Sequence, residues 1–218
     1  MTFLQDQTYE AEVLVVDNGS QDRTAQIVEA FIVHHPNLFL LQEDRAGKGL
    51  AVRRGMLESR GRYRFICDAD LSMPIQEVSK FIPPALPDFD IAIASREVQG
   101  AVRYNEPILR HWIGRIFNFL VQILAVPGFK DTQCGFKCFH STIAEDLFQV
   151  QQLDGWTFDV EVLFIGLRRG YKVVEVPIHW YYRAASRIHV IQDSINMFID
   201  LFRIRRNWNR NFYAARSK

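Results

Sequence analysis

Apolar residues fall in short unbroken runs separated by polar stretches. The runs are EVLVVD (12–17), LFLLQ (38–42), RYRFICD (62–68) and FDIAIAS (89–95). Continuous apolar runs of this length, bounded by turn residues, predict strands covered on both faces. DNGSQD after the first run is turn chemistry leading into a helix over 22–34, and EDRAGKG (43–49) opens a second helix whose Leu50, Ala51, Arg54, Met56 and Leu57 fit a half-buried face. PIQEVSKFI (74–82) begins on a proline, which suits a helix N-terminus. The alternation predicts an α/β fold, a Rossmann-like, mostly parallel sheet with helices on both faces.

From Pro107 the period changes. Leu109, Trp112, Ile113, Ile116, Phe117, Leu120, Ile123 and Leu124 form a wide apolar stripe, with His111, Arg115, Asn118 and Gln122 on the narrower polar one, predicting a helix over 107–126. TFDVEVLFIGLRRG (157–170) predicts another helix closed by Gly170, and KVVEVPI (172–178) another strand. A last amphipathic helix over 189–206 carries Ile191, Ile195, Phe198 and Phe202 on one side.

Composition narrows the function classes. With 218 residues, 48% of them hydrophobic, the chain can bury one substantial core, and a net charge of +1 excludes a generally polycationic nucleic-acid binder. The balance is uneven, because no acid follows Asp200 while Arg203, Arg205, Arg206, Arg210, Arg216 and Lys218 do. Three cysteines, Cys67, Cys134 and Cys138, make no disulfide framework, and Cys134, Cys138 and His140 do not complete a zinc site. A reducing compartment and structural thiols are expected. No apolar run is long enough to span a bilayer, and MTFLQDQTYEAE lacks the charged-then-apolar pattern of a leader.

Ligands of parallel sheets gather at the carboxyl ends of the strands. Asp17, Asp44, Asp68 and Asp70 all follow strand-like runs and are expected to share that rim. The Asp68-Ala69-Asp70 pair is either a capped turn or a site for a hard divalent cation, Mg²⁺ or Mn²⁺, whose shell a diphosphate and water would complete. DRAGKGLAVRRG (44–55) approaches a phosphate loop, but Gln42 and Gly49 stand where the Walker pattern needs glycine and serine or threonine. What remains is Lys48 at a helix N-terminus, either an anion site through free amides or a solvated lysine on a loop.

Five segments, VVDNGSQDRT (15–24), RAGKGLAVRRGM (45–56), DADLSMP (68–74), DTQCGFKCF (131–139) and VEVPIHWYYRAASR (174–187), occur in the order and spacing of the family 2 glycosyltransferases of GT-A fold. The chain most resembles the dolichyl-phosphate β-glucosyltransferase and dolichol-phosphate mannosyltransferase branch, which moves a sugar from a nucleotide to a polyprenyl phosphate. The resemblance implies a GT-A domain over 1–188 and a basic amphipathic membrane-interface segment over 189–218. It implies that Asp17 contacts the nucleobase, that Arg45 and Lys48 lie near the nucleotide, and that Asp68 holds the sugar and ribose side of the donor. Asp70, with Asp68, would bind the metal, and Gln133 would line the sugar and acceptor pocket. Arg183, Ser186 and Arg187 would grip the acceptor phosphate; many relatives carry glycine where Ala185 precedes the serine. Asp159 and Glu161 are the candidate acids on the acceptor side, although residues two apart on a helix point in different directions.

The implied activity is an inverting, metal-dependent hexosyl transfer from a nucleotide sugar, glucose from UDP-glucose, to a polyprenyl phosphate. The implied location is cytoplasmic, peripheral on the cytoplasmic face of a membrane. The family also opens with an earlier strand and helix, whereas here only about ten residues precede the VVDNGS strand, so a missing first strand is expected. Two rivals remain at this level. FICDADLS (65–72) also resembles the nucleophile segment of a haloacid-dehalogenase phosphatase, and a chain lacking a strand could be a non-catalytic binding module.

Overall fold

The computed structural model describes residues 1–70, 72–183 and 190–214. A short helix α1 (Thr2–Gln5) precedes β1 (Val13–Asp17), α2 (Thr24–Ile32), β2 (Leu38–Gln42), α3 (Lys48–Glu58) and β3 (Tyr63–Ile66). Then follow a 3-10 turn at Ile75–Lys80, β4 (Ile91–Ser95), β5 (Val102–Tyr104), the long α4 (Ile108–Leu124) and β6 (Lys137–His140). The chain continues through α5 (Ser141–Val150), α6 (Phe158–Arg168), β7 (Val173–Pro177), β8 (His179–Tyr181) and α7 (Val190–Asn209).

The strands form three sheets. β1 and β2 pair in parallel, Val13 opposite Leu38 through Asp17 opposite Gln42. The central sheet runs β3-β6-β4-β7, with β6 antiparallel to both neighbours and β4 parallel to β7. β5 and β8 make a small parallel pair. The α/β class agrees with the pattern along the sequence, but the antiparallel β6 is an addition, since a four-residue KCFH segment is too short to announce itself by periodicity. PIQEVSKFI forms a 3-10 turn rather than the expected α-helix.

β4 is the wall between two cores. Its Ile91 and Ile93 pack into a cluster with Phe139, Leu147, Phe148, Phe158, Leu163 and Ile165 from β6, α5 and α6. Ala92 and Ala94, on its other face, pack with Phe81, Phe136, Cys138, Ile178 and Trp180. Cys134 and Cys138 are buried thiols of this second cluster, and Cys67 is exposed. No residue of β1 or β2 belongs to either cluster.

α4 and α7 pack against each other through their inner sides, where Val121, Leu201 and Ile204 are buried. Their outer sides remain apolar. Ile108, Trp112, Ile116, Phe119 and Ile123 recur every three or four residues along α4 and all are exposed, as are Ile195, Phe198, Ile199 and Phe202 along α7. Among the described residues no helix is long and apolar enough to cross a membrane.

Candidate functional site

The strand-end acids separate into two groups. Beyond β3 the chain delivers Asp68, whose Oδ1 receives Lys48 Nζ at 2.7 Å. Lys48 is the first residue of α3, so the ion pair joins the loop after β2 to the loop after β3. Asp70 Oδ1 accepts the Ser72 N–H at 2.9 Å, and the Ser72 carbonyl accepts the Tyr181 N–H at 2.7 Å, which brings β8 to the same place. A cleft opens here, lined by Cys67, Asp68, Asp70, Ser72, Met73, Cys134, Gly135, Phe136 and Trp180. A Cβ on Gly135 would lie 1.9 Å from Asp68 Oδ2, so any side chain there would push the Asp68 carboxylate out of its present place. Gln133, half-buried, sits just before these lining residues in the same loop.

On the β1 side, Asp17 is buried and its Oδ1 accepts the Ser20 N–H at 3.2 Å, closing the turn after the strand. Asn18 does the joining. Its Nδ2 donates to the carbonyls of Glu43 (3.2 Å) and Arg45 (2.5 Å), and its Oδ1 accepts the Gly47 N–H at 2.7 Å. Arg45 is exposed, with Glu43 its nearest acid at 3.7 Å. Asp44 does not reach the Asp68 cleft; it lines a groove along α2 and β2 with Glu29, Leu40 and Arg54. The expectation of one rim shared by all four acids is corrected in this respect, because the loop after β2 turns Asp44 outward.

The start of α3 is also more occupied than an open anion site would be. Gly47 donates to Asn18, and Gly49 donates to the Asp154 carbonyl at 2.8 Å. Gly47 has φ +152°, and a Cβ on it would stand 2.5 Å from the Asp154 oxygen, so glycine alone permits this approach. Lys48 therefore contributes its side chain rather than a ring of free amides. Its ammonium lies 5.1 Å from the Trp156 ring centroid. Burial would lower its pKa, but the Asp68 and Asp159 carboxylates outweigh that and hold it above the ordinary lysine value.

α6 carries the remaining acids, and they diverge. Asp159 is 4% exposed, and its Oδ1 accepts Lys137 Nζ at 2.7 Å. Burial raises its pKa against the opposing charges of Lys137 and Lys48. Glu161, two residues on, accepts the backbone N–H groups of Gln152 and Leu153 and the Tyr213 hydroxyl at 2.7 Å, and burial pushes it up to about 7. Glu161 thus ties the segment after α7 to the loop before α6, whereas Asp159 turns toward Lys137 and the charged cluster around the cleft.

Next to the cleft, Arg96 grips Asp131 through Nε at 2.7 Å and Nη2 at 2.9 Å, and its guanidinium lies 5.2 Å from the Trp180 ring centroid. Arg183 is exposed two residues past the end of β8. Ser186 and Arg187 lie outside the described residues. Among the described residues no three His, Cys, Asp or Glu side chains gather into a metal-holding group. Asp68 and Asp70 remain a hard-oxygen pair of the size that a divalent ion takes from protein when phosphate and water supply the rest. Asn18, Gly135, Lys137, Arg96 and Trp156 escaped the sequence reading, although each lies within or beside a segment it singled out.

The model of Glycosyl transferase family 2 matches residues 2–148. A dolichyl-phosphate beta-glucosyltransferase of Trichomonas vaginalis is 37% identical over 95% of this chain and 63% of its own length. One from Dictyostelium discoideum is 33% identical over 92% of this chain and 64% of its own. The chain thus spans somewhat under two thirds of these relatives. Glucosyl-3-phosphoglycerate synthase from Mycobacterium tuberculosis, solved with Mn²⁺, UDP-glucose and phosphoglyceric acid, superposes with a TM-score of 0.58 at 14% identity, covering 88% of this chain and 67% of that one. That likeness places the fold in the GT-A class. The phosphatase reading of Asp68 falls away with the family match.

Proposed function

Because the chain belongs to the family 2 glycosyl transferases, we propose that it transfers a hexose, glucose from UDP-glucose, to a polyprenyl phosphate with inversion at the anomeric carbon. The observation that carries this reading is the junction of Lys48, Asp68 and Gly135, where the loops after β2 and β3 and the loop before β6 meet beside one cleft. The dolichyl-phosphate glucosyltransferases named above supply the substrate classes.

The nucleotide lies on the β1 side, with Asp17 at the base and Arg45 and Lys48 beside the diphosphate. Asp68 holds the sugar and ribose side, and Gln133 lines the sugar and acceptor pocket. Asp70 with Asp68 is the carboxylate pair for Mg²⁺ or Mn²⁺, which when bound supplies positive charge beside the departing diphosphate. An oxygen of the acceptor phosphate attacks the anomeric carbon from the far face. The new C–O bond forms as the bond to the diphosphate breaks, and the electron pair leaves with the nucleotide. Phosphate near neutral pH is split between mono- and dianion, its second pKa being about 6, so the dianion attacks unaided. For the monoanion a base takes the proton, and Asp159, made more basic by burial, is that carboxylate. Arg183, Ser186 and Arg187 hold the acceptor phosphate; the guanidinium groups match its oxygens in bidentate fashion.

A lipid acceptor also accounts for the outward apolar stripes of α4 and α7. Trp112, Ile116, Phe119, Phe198 and Phe202 suit the headgroup boundary, and Arg203, Arg205 and Arg206 add attraction to anionic lipid of roughly 1 kcal/mol each. These stripes would set α4 and α7 against a membrane surface, and the face we propose is the cytoplasmic one.

The experiment is transfer from UDP-glucose to polyprenyl phosphate in vesicles with Mn²⁺, alongside calorimetric UDP-glucose binding. Asp70→Asn is expected to abolish metal-dependent donor binding. Arg183→Ala is expected to remove transfer while donor binding stays within about twofold. Donor binding without turnover by the parent chain would make it a binding module instead. Glucosylation of a soluble saccharide in preference to lipid phosphate would overturn the acceptor.

A further inference from the structure

Lys137 has 0% of its surface exposed, and its neighbours Cys138 and Phe139 belong to the two cores. A lysine sealed from water is costly unless its charge is matched, and an apolar side chain would serve the core at least as well. Its ammonium is matched at two points: Asp159 Oδ1 at 2.7 Å and the Cys134 carbonyl at 2.6 Å. The first acceptor is on the opening turn of α6. The second is in the loop that gives the cleft Cys134, Gly135 and Phe136. Asp159 in turn lies within the electrostatic reach of Lys48 and Asp68. One buried cation thus fixes the acid and the cleft wall relative to each other.

We propose that Lys137 is a positioning residue for transfer: it holds the Asp159 carboxylate in place beside the cleft and locks the 131–136 loop against α6. The inference rests on the assignment of Asp159 to the acceptor proton. Lys137 touches no substrate. Its effect on rate passes through Asp159, which distinguishes it from a lysine that only stabilises the fold.

A double-mutant cycle tests this. Lys137→Met, Asp159→Asn and the double variant are compared with the parent for glucosyl transfer to polyprenyl phosphate at pH 5, where about nine-tenths of the acceptor is monoanion, and for UDP binding by calorimetry. Lys137→Met is expected to lower kcat by about tenfold, down to the share that the dianion carries unaided when its pKa is about 6, with UDP affinity and donor KM within about twofold of the parent. In the Asp159→Asn background the same change is expected to cost less than about twofold, because the group it positions is already gone. Equal losses in both backgrounds, or an unchanged kcat in Lys137→Met, overturn the proposal. An Asp159→Asn protein that transfers at the parent rate removes the acid assignment itself, and the positioning role with it. Should Lys137→Met not fold, Lys137→Gln keeps a donor without the charge and runs the same cycle.

Discussion

β1 and β4 are both five-residue, largely apolar strands, VLVVD and IAIAS, and each is parallel to one neighbour. Their surroundings are opposite. β4 is buried at all five positions, while β1 is half-buried at Val13, Leu14, Val15 and Val16 and fully buried only at Asp17. Composition does not make the difference. β4 is hydrogen-bonded on both edges, to β6 and β7, and sends side chains into two cores; β1 is bonded to β2 alone. The β1 half is attached to the rest by α3, whose Met56, Val52 and Leu57 pack on the first core, and by polar links. Glu12 Oε1 accepts the N–H groups of Arg60 and Gly61, Asn18 joins three points of the next loop, and Arg53 Nε donates to the Phe148 carbonyl. The cleft wall at Cys134, Gly135 and Phe136 therefore stands on packed structure, and the β1 side, where the nucleotide is proposed to lie, on a lightly buried pair of strands.

The largest test of this contrast is a matched pair of truncations. Ile93→Ala, at a position with no exposed surface, is expected to cost about 4 kcal/mol of unfolding free energy, through lost transfer energy and the cavity left behind. Val15→Ala should cost only about 1 kcal/mol, since its methyl groups are already partly in water. Urea denaturation of the two variants decides it. Equal losses would mean that β1 is as much a part of the core as β4.

The second test removes a charge from the packed side. Asp131 is buried, and Arg96 meets it with two side-chain bonds and one backbone N–H at 2.9 Å. Asp131→Asn leaves the guanidinium without its partner and should cost about 3 kcal/mol. A pH signature accompanies it. Burial would raise the Asp131 pKa, but Arg96 outweighs burial and holds it below its ordinary value of 3.8. The folded carboxylate thus binds protons less readily than the unfolded one, so its contribution is present above about pH 3.8 and is lost as the pH falls below that. In the Asn variant the acid side of the stability curve should be flatter by that contribution. An unchanged acid limb would remove Arg96 and Asp131 from the packed wall.

How much of this was legible in the sequence differs between the same two halves. β1, β2, α3 and β4 announced themselves, because continuous Val-, Leu- and Ile-rich runs between turn residues have few other uses. The stripes of α4 and α7 were visible as periodicity, but not which side would be left uncovered, since that depends on what packs against them. β6 was hidden: its four residues include a lysine, and only the fold supplies Asp159, 22 residues later, as its partner. The separation of Asp159 from Glu161 was legible as helix geometry, whereas the assignment of Glu161 to Tyr213 needed contacts 52 residues apart. Gly135 could not be read at all, because the reason for glycine there is the Asp68 carboxylate, 67 residues earlier in the chain.

The smallest expected effect on stability belongs to the lightly buried half. Asn18 is in the turn after β1, and its side chain makes three hydrogen bonds, to Glu43, Arg45 and Gly47, all in the loop that leads to Lys48. These bonds lie near the surface, where water competes for every partner, so together they should contribute only about 1 kcal/mol. Their geometric consequence is larger than their energy. Without Asn18 the 43–47 loop is no longer held to the end of β1, and Arg45 and Lys48 lose their fixed relation to Asp17. Asn18→Ala should therefore lower the unfolding free energy by about 1 kcal/mol while weakening UDP binding about tenfold, the two being measured by urea denaturation and calorimetry. The sharper half of this prediction is the disproportion. A stability loss near the Asp131→Asn value with unchanged UDP affinity would place Asn18 among the supports of the fold. A loss of affinity at nearly unchanged stability would mean that the proposed nucleotide side is organised by side-chain links rather than by packing.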